Sequence, residues 1–373
     1  MTATKSNRIL ELDALRALAA INLLLFHFTL VFENKYGYSS PLGFDFPYGK
    51  YGVQLFFMLS GFVNTMTLLK KRRPGDFIVS RMIRILPSYW IVIFLNVVLL
   101  STFGFYQVDP NLSGFAANMT VMPQLFGNEC WEPVTWTLQV EIIFYFILLT
   151  LYLLNAFENT LKTVTLMSWV SLIGCTLHAQ AQIVAPNTFT AETTEFFTNL
   201  FILKYLPLFG IGMLLHEIRF SRGPRIRNAV GIVVCIVAFH LTDEHGHNPA
   251  ATAILLGLLT LSVFGKVPLL RCKPLMIVSS SSYALYLFHN NLGCLLIKKV
   301  NGFGISPICC LALGIFASFC FAFAYTRWFE QPLTSRLRIL WAQFKPELNR
   351  WPHLFWRSTT LVDPNVVVTT HDH

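Results

Sequence analysis

Ten apolar runs, each near the length needed to cross the hydrocarbon core of a bilayer, succeed one another along the chain. They cover about residues 14–32, 51–69, 86–105, 136–155, 163–184, 197–216, 228–242, 250–265, 277–297 and 306–328. The pattern predicts an all-α polytopic membrane protein of about ten transmembrane helices. A membrane domain over 1–340 takes up nearly all of the chain. A short interfacial or cytoplasmic tail over 341–373 mixes aromatic and cationic residues and is too small for a further catalytic domain. No internal repeat is evident, which argues against the secondary-transporter folds built from related halves. The first run is too long for the apolar segment of a cleavable signal peptide.

Composition agrees. Of 373 residues, 54% are hydrophobic and 13% charged, far from the balance of a soluble domain. The net charge of +9 is sorted between loops. Lys5, Arg8, the stretch from Lys70 to Arg84, Arg219, Arg222, Arg225, Arg227, Lys266, Arg271, Lys273 and the tail fall on one side, which is therefore cytoplasmic. The opposite loops carry Glu129, Glu132, Glu192, Glu195, Asp243 and Glu244, with Lys298 and Lys299 as exceptions. Both termini are expected inside. Charge is thus a topology signal, and no nucleic-acid partner is expected. The eight cysteines form no Cys-x-x-Cys pair and read mainly as small buried hydrophobes rather than as a disulfide or zinc framework.

Against this background the ionisable residues inside the runs stand out, since such groups usually face a protein interior or cavity. Arg16 and His27 are eleven residues apart, which returns to nearly the same helix face roughly 16 Å along the axis. Asp13 lies a turn before Arg16. His27, Glu141, His289 and Ser60 fall at similar depths on four different runs, which predicts a shared polar cavity nearer the outer side. Arg81 and Arg84 sit three apart before Pro87. They read either as snorkelling side chains of an interfacial helix or as a guanidinium fork for phosphate, level with Arg16 at the cytoplasmic mouth. A cationic mouth attracts a phosphate-bearing ligand, and a neutral imidazole beside a carboxylate removes a proton from a hydroxyl.

Six stretches in order, over about residues 9–338, resemble the membrane acyltransferase 3 family of O-acyltransferases. They are LDALRALAAINLLLFH, GVQLFFMLSGF, SRMIRILPSYW, WTLQVEIIFYF, SYALYLFHNNL and YTRWFEQPLTSRL. Ala14 and Ala17 stand where glycines are frequent, Gln139 replaces a common serine, and Ile142 replaces a frequent second acidic residue. The resemblance implies transfer of an acyl group, acetyl or another short chain, from cytoplasmic acyl-CoA to a hydroxyl of a glycan or glycolipid at the outer side. It implies a multi-pass protein of the bacterial inner membrane, in contact with its lipids. Acyl-CoA is then a co-substrate, and no permanently bound cofactor is expected.

In that reading Arg16, Arg81 and Arg84, with Ser60, bind the acyl donor. His27 acts as base or as acyl carrier, with Glu141 or Asp13 as its orienting partner, while His289 and Tyr283 support the site. Ser60 is either an oxyanion donor or a small packing residue. The rival class is a multi-pass exporter, because buried His and Glu also form proton relays. The outer stretch TDEHGHN, with His245 and His247, reads as a polar loop rather than a metal site.

Overall fold

The computed structural model describes residues 9–71, 74–103, 111–186, 188–220, 224–243 and 246–348, and among these there are helices and turns but no strand. The chain opens with α1 (Leu10–Phe26) and the short α2 (Phe32–Tyr36), followed by α3 (Gly52–Lys71) and α4 (Pro74–Phe103). A small α5 (Leu112–Met119) precedes α6 (Trp136–Leu153) and α7 (Thr160–Val184). Then come α8 (Phe189–Leu200), α9 (Leu206–Phe220), α10 (Arg225–Leu241) and α11 (Pro249–Val263). The last group is α12 (Lys273–Phe288), α13 (Cys294–Asn301), α14 (Pro307–Tyr325) and α15 (Gln331–Leu348).

Helices are what apolar sequence must form where no water is available to satisfy the backbone. Their starts carry ordinary signals. Asn111, Asn159, Thr188 and Asn248 accept backbone N–H bonds at the starts of α5, α7, α8 and α11. Proline opens α11, α12 and α14 at positions that need no donor.

By length and composition six helical stretches are able to cross a membrane: Leu10–Tyr36, Pro47–Lys70, Pro74–Phe103, Pro133–Leu153, Ala156–Val184 and Pro307–Phe344. A seventh results if α8 and the stretch through α9, bent by 47°, form one span. Phe94, Val98, Ile173, Leu177, Phe316 and Phe323 point outward, as lipid-facing side chains do. The protein is a multi-pass, all-α integral membrane protein.

Every expected run coincides with helix, but three details differ. The run at 197–216 is broken near Ile202, which has φ 50°. Arg81 and Arg84 belong to one continuous α4 that starts at Pro74 and absorbs Pro87, so no separate interfacial helix precedes the third span. Of the cysteines, Cys175, Cys235, Cys294 and Cys310 are buried, whereas Cys272, Cys309 and Cys320 are exposed. Lys5, Arg8, Arg222, Glu244, His245 and most of the expected tail lie outside the described residues.

Close backbone approach shapes the bundle. A Cβ on Gly61 would stand 2.2 Å from the Phe209 carbonyl oxygen, and one on Gly212 2.1 Å from that of Met58. Only glycine lets α3 and α9 touch there, as small residues do at other membrane helix contacts. Around α1 the same purpose is served by alanine. Ala14, Ala17, Ala19 and Ala20 are fully buried. Helix α1 packs against both α3 and α12, and this brings the Arg16–His27 face against the helix that carries His289.

Candidate functional site

Two of the expected residues meet directly. His289 Nε2 lies 3.0 Å from His27 Nδ1. Both histidines open short segments in which the helix widens to i→i+5 winding, His27–Val31 and His289–Gly293. Such π-bulges re-aim side chains and recur at functional sites. The two segments can touch because residue 293 is glycine: a Cβ there would lie 2.3 Å from the Phe28 ring.

The hydrogen bonds fix the tautomers. His289 Nδ1 faces the carbonyl oxygens of Tyr286 at 2.8 Å and Leu285 at 3.1 Å. Carbonyls only accept, so this nitrogen carries the proton and Nε2 is left as an acceptor. His27 Nδ1 faces that acceptor and also the Leu23 carbonyl at 2.8 Å. It must therefore be the protonated nitrogen of His27, and His27 Nε2 holds the available lone pair. The orienting partners of His27 are thus His289 and a backbone carbonyl, not Glu141 or Asp13 as expected.

Glu141 is held elsewhere. Its carboxylate accepts from Tyr145 at 2.5 Å and from Ser60 at 3.2 Å. With Ser60 it lines a cavity of about 90 Å³ whose walls also include Arg16, Arg81 and Arg84. The expected shared cavity is therefore divided: the histidine pair stands apart from the Ser60–Glu141 pair. The Ser60 hydroxyl donates to Glu141 and lies on the middle cavity rather than on that of His27.

The arginines do gather. Asp13 bonds Arg16 at 3.1 Å. Arg81 donates to Thr67 at 3.0 Å and lies over the rings of Phe77 and Tyr145, so it is held inside the bundle rather than snorkelling. Arg16 and Arg84 also line a second cavity of about 320 Å³, at the end of the bundle where α1, α4 and α12 begin. Tyr283 is shared by both cavities and donates to the Ile85 carbonyl at 3.0 Å. The outer of the two is also lined by Arg338, by the carboxylates of Asp13 and Glu330, and by hydroxyls including Ser279, Ser280, Thr334 and Ser335.

A third cavity, of about 420 Å³, opens at the other end of α1 and contains His27. Val53 and Tyr286 form the wall between it and the small middle cavity. Tyr286 is fixed there by bonds to Thr137 at 2.5 Å and the Val134 carbonyl at 2.8 Å. Three cavities thus follow one another along α1, with guanidinium groups at one end and the imidazole at the other.

Several participants escaped the sequence reading. Asn64 donates to Ser60 at 2.7 Å, and because Ser60 in turn donates to Glu141, Asn64 Oδ1 is left as a buried acceptor with no partner. Its spacing of four from Ser60 was the available signal, as was the spacing of Tyr145 from Glu141. Tyr286 lies within the quoted motif, but its role as a wall needed coordinates. Among the described residues no three His, Cys, Asp or Glu side chains could hold a metal ion.

Glu132, expected in an acidic outer loop, is buried just before α6. It receives the amides of Asn290 at 3.2 Å and Asn96 at 3.3 Å, and so anchors the widened segment that begins at His289. Burial outweighs these bonds and raises its carboxyl from 4.5 to about 8. Between those values the folded state keeps a proton that the unfolded chain has released, so stability falls as pH rises through this window. Thermal unfolding of detergent-solubilised protein should show a loss of up to about 1.4 kcal/mol per pH unit between pH 5 and 8. Glu132→Gln should flatten that dependence; an unchanged slope would mean that Glu132 titrates normally.

Residues 9–327 match the acyltransferase domain family, and the chain belongs to it. The chain is also similar to the "Exopolysaccharide production protein ExoZ" of Rhizobium meliloti (strain 1021), at 25% identity over 313 residues. That alignment covers 79% of this chain and 93% of ExoZ. No solved structure matches significantly.

Proposed function

We propose that this acyltransferase moves a short acyl group, most simply acetyl, from cytoplasmic acyl-CoA to a hydroxyl of a cell-envelope polysaccharide or its lipid-linked precursor. The transfer takes place at the outer side of a bacterial inner membrane, with both termini inside and about ten crossings. The observation that carries this reading is the row of cavities along α1. Phosphates are bound by guanidinium forks, and Arg16 and Arg84 offer such forks at the mouth, with Arg81 further in on the middle cavity. The pantetheine arm then extends past the unpartnered Asn64 Oδ1, which suits one of its amide N–H groups. The thioester reaches His27 when Tyr286 gives up its bonds to Thr137 and Val134 and the wall between the two cavities opens. ExoZ is named for exopolysaccharide production, which favours a glycan acceptor here.

The chemistry follows from the tautomer. His27 Nε2 accepts the proton of the acceptor hydroxyl as its oxygen bonds to the thioester carbonyl carbon. The imidazolium so formed is supported at Nδ1–H by Leu23 and by the neutral His289. Collapse of the tetrahedral intermediate breaks the C–S bond, and the proton on Nε2 passes to the departing CoA sulfur. An ester and free CoA result, with no net change at His27.

The test is binding and turnover by purified protein. Labelled acetyl-CoA should bind saturably and be displaced by CoA. With a cell-envelope polysaccharide fraction, thiol release should match the ester formed. A protein that binds no acyl-CoA and forms no ester would overturn this reading.

A further inference from the structure

A groove of about 520 Å³ opens on the outside of the bundle where α7 and α10 begin. It shares no residue with the three cavities along α1. One face of α7 forms most of it. Lys162, Thr165, Leu166 and Trp169 follow at steps of three, one and three, which is one stripe of a helix. From the helix start inward, over about 10 Å, the stripe passes from an ammonium to a hydroxyl and then to two exposed apolar side chains.

Helix α10 is the other wall. Gly231 lets it come close, since a Cβ there would lie 2.4 Å from Leu161 Cδ1, and Leu161 fills the space between the helices. Arg227, one turn before Gly231, reaches the same groove as Lys162. Neither cation serves its own helix. Both sit in a first turn, where the helix dipole favours acidic groups. Neither pairs with a carboxylate among the described residues. Thr163, Ser168 and Thr176 of α7 each donate to a backbone carbonyl, and among the described residues the Thr165 hydroxyl makes no such bond.

We propose that this groove holds one anionic phospholipid, its phosphate between Lys162 and Arg227, its ester region at Thr165 and an acyl chain along Leu166 and Trp169. The order of groups in such a lipid is the order along the stripe. Basic pockets between membrane helices take anionic headgroups, and an apolar slot below the cations admits a chain that a free phosphate lacks. Sorting of charge between loops explains cations at this end of the bundle, but it does not explain a polar-to-apolar face beneath them.

The experiment is native mass spectrometry of the full chain in detergent. The probes are palmitoyl-oleoyl phosphatidylglycerol and the zwitterionic phosphatidylcholine with the same chains. The unaltered protein should retain one phosphatidylglycerol at a collision energy that strips phosphatidylcholine. Lys162→Gln/Arg227→Gln should weaken phosphatidylglycerol binding at least five-fold, the share of a single cation near a membrane surface. Lys162→Arg/Arg227→Lys keeps both charges and should bind as the unaltered protein does. Arg225→Gln is the control, because Arg225 is the one charged residue of a separate groove of about 460 Å³ on α10. It should bind normally, and sn-glycerol 1-phosphate should not displace the lipid. Equal retention of the two lipids by the unaltered protein would overturn the proposal without any variant. Undiminished binding by the glutamine pair would overturn it too. An equal loss in Arg225→Gln would reduce the effect to general surface charge, and displacement by glycerol phosphate would leave an anion site with no lipid in it; either result sinks the proposal.

Discussion

His27→Ala should lower acyl transfer by about 10²–10⁴-fold while leaving acyl-CoA affinity close to that of the unaltered protein. The separation follows from position. His27 lines the cavity beyond the Tyr286 wall, and the arginines that suit phosphates line the other two. Removing the imidazole deletes the base without disturbing the guanidinium groups. Its neighbour should behave differently. His289 does not line the His27 cavity; it acts through the bond to His27 Nδ1 and is a positioning residue. His289→Leu should slow transfer about ten-fold or more, since a fixed tautomer contributes through orientation. His289→Gln, whose side-chain carbonyl can still accept from His27 Nδ1, should recover part of the loss, which a purely packing role would not predict. The measurements are ester formed per enzyme and acetyl-CoA affinity for each variant. Appreciable transfer by His27→Ala would exclude the imidazole as base, and equal loss of donor affinity would show that it helps hold the thioester.

How much of this was legible in the chain depended on the range of the interactions. Apolar length is local, so the helical character of the runs was readable, whereas the break at Ile202 and the unbroken course of α4 through Pro87 arise from packing. The Arg16–His27 face was readable because helical periodicity alone defines it. Partners were not. Depth placed Glu141 and His289 near the level of His27, but depth carries no information about rotation of one helix against another. Rotation is set by contacts such as Gly61 against Phe209 and Gly293 against Phe28. The second of these brings His289 to His27, and Glu141 is held on Ser60 and Tyr145 beside the arginines. The π-bulges were equally hidden, since one extra residue in a turn leaves no periodic trace at this length. Glu132 shows the converse error. A glutamate between two runs reads as part of an acidic outer loop, and two asparagines distant in sequence make its burial tolerable.

Arg16→Ala should weaken acyl-CoA binding by roughly 10- to 150-fold, the equivalent of about 1.5–3 kcal/mol for a lost charge-assisted contact. The effect on transfer at saturating acyl-CoA should be much smaller, in contrast to His27→Ala. Arg16 is well placed for this because it is common to the mouth cavity and the middle cavity, as is Arg84. A phosphate held between them lies on the route toward His27, about 16 Å further along α1. Arg16→Lys should recover only part of the affinity, since an ammonium lacks the planar fork. One complication is built into the site. Asp13, 8% exposed, bonds Arg16, so deleting the guanidinium alters the surroundings of a buried carboxylate as well as the phosphate site. The double variant Asp13→Asn/Arg16→Ala removes that charge and should recover folded yield while remaining deficient in acyl-CoA binding. Asp13→Asn alone should bind acyl-CoA at least as well as the unaltered protein, because it lifts a competing anion from Arg16. Isothermal titration of each purified variant with acetyl-CoA, repeated at higher salt, distinguishes the outcomes, since a phosphate contact weakens as ionic strength rises. Full affinity in the double variant would show that Arg16 serves α1 packing through Asp13 and that Arg84 and Arg81 hold the phosphates without it.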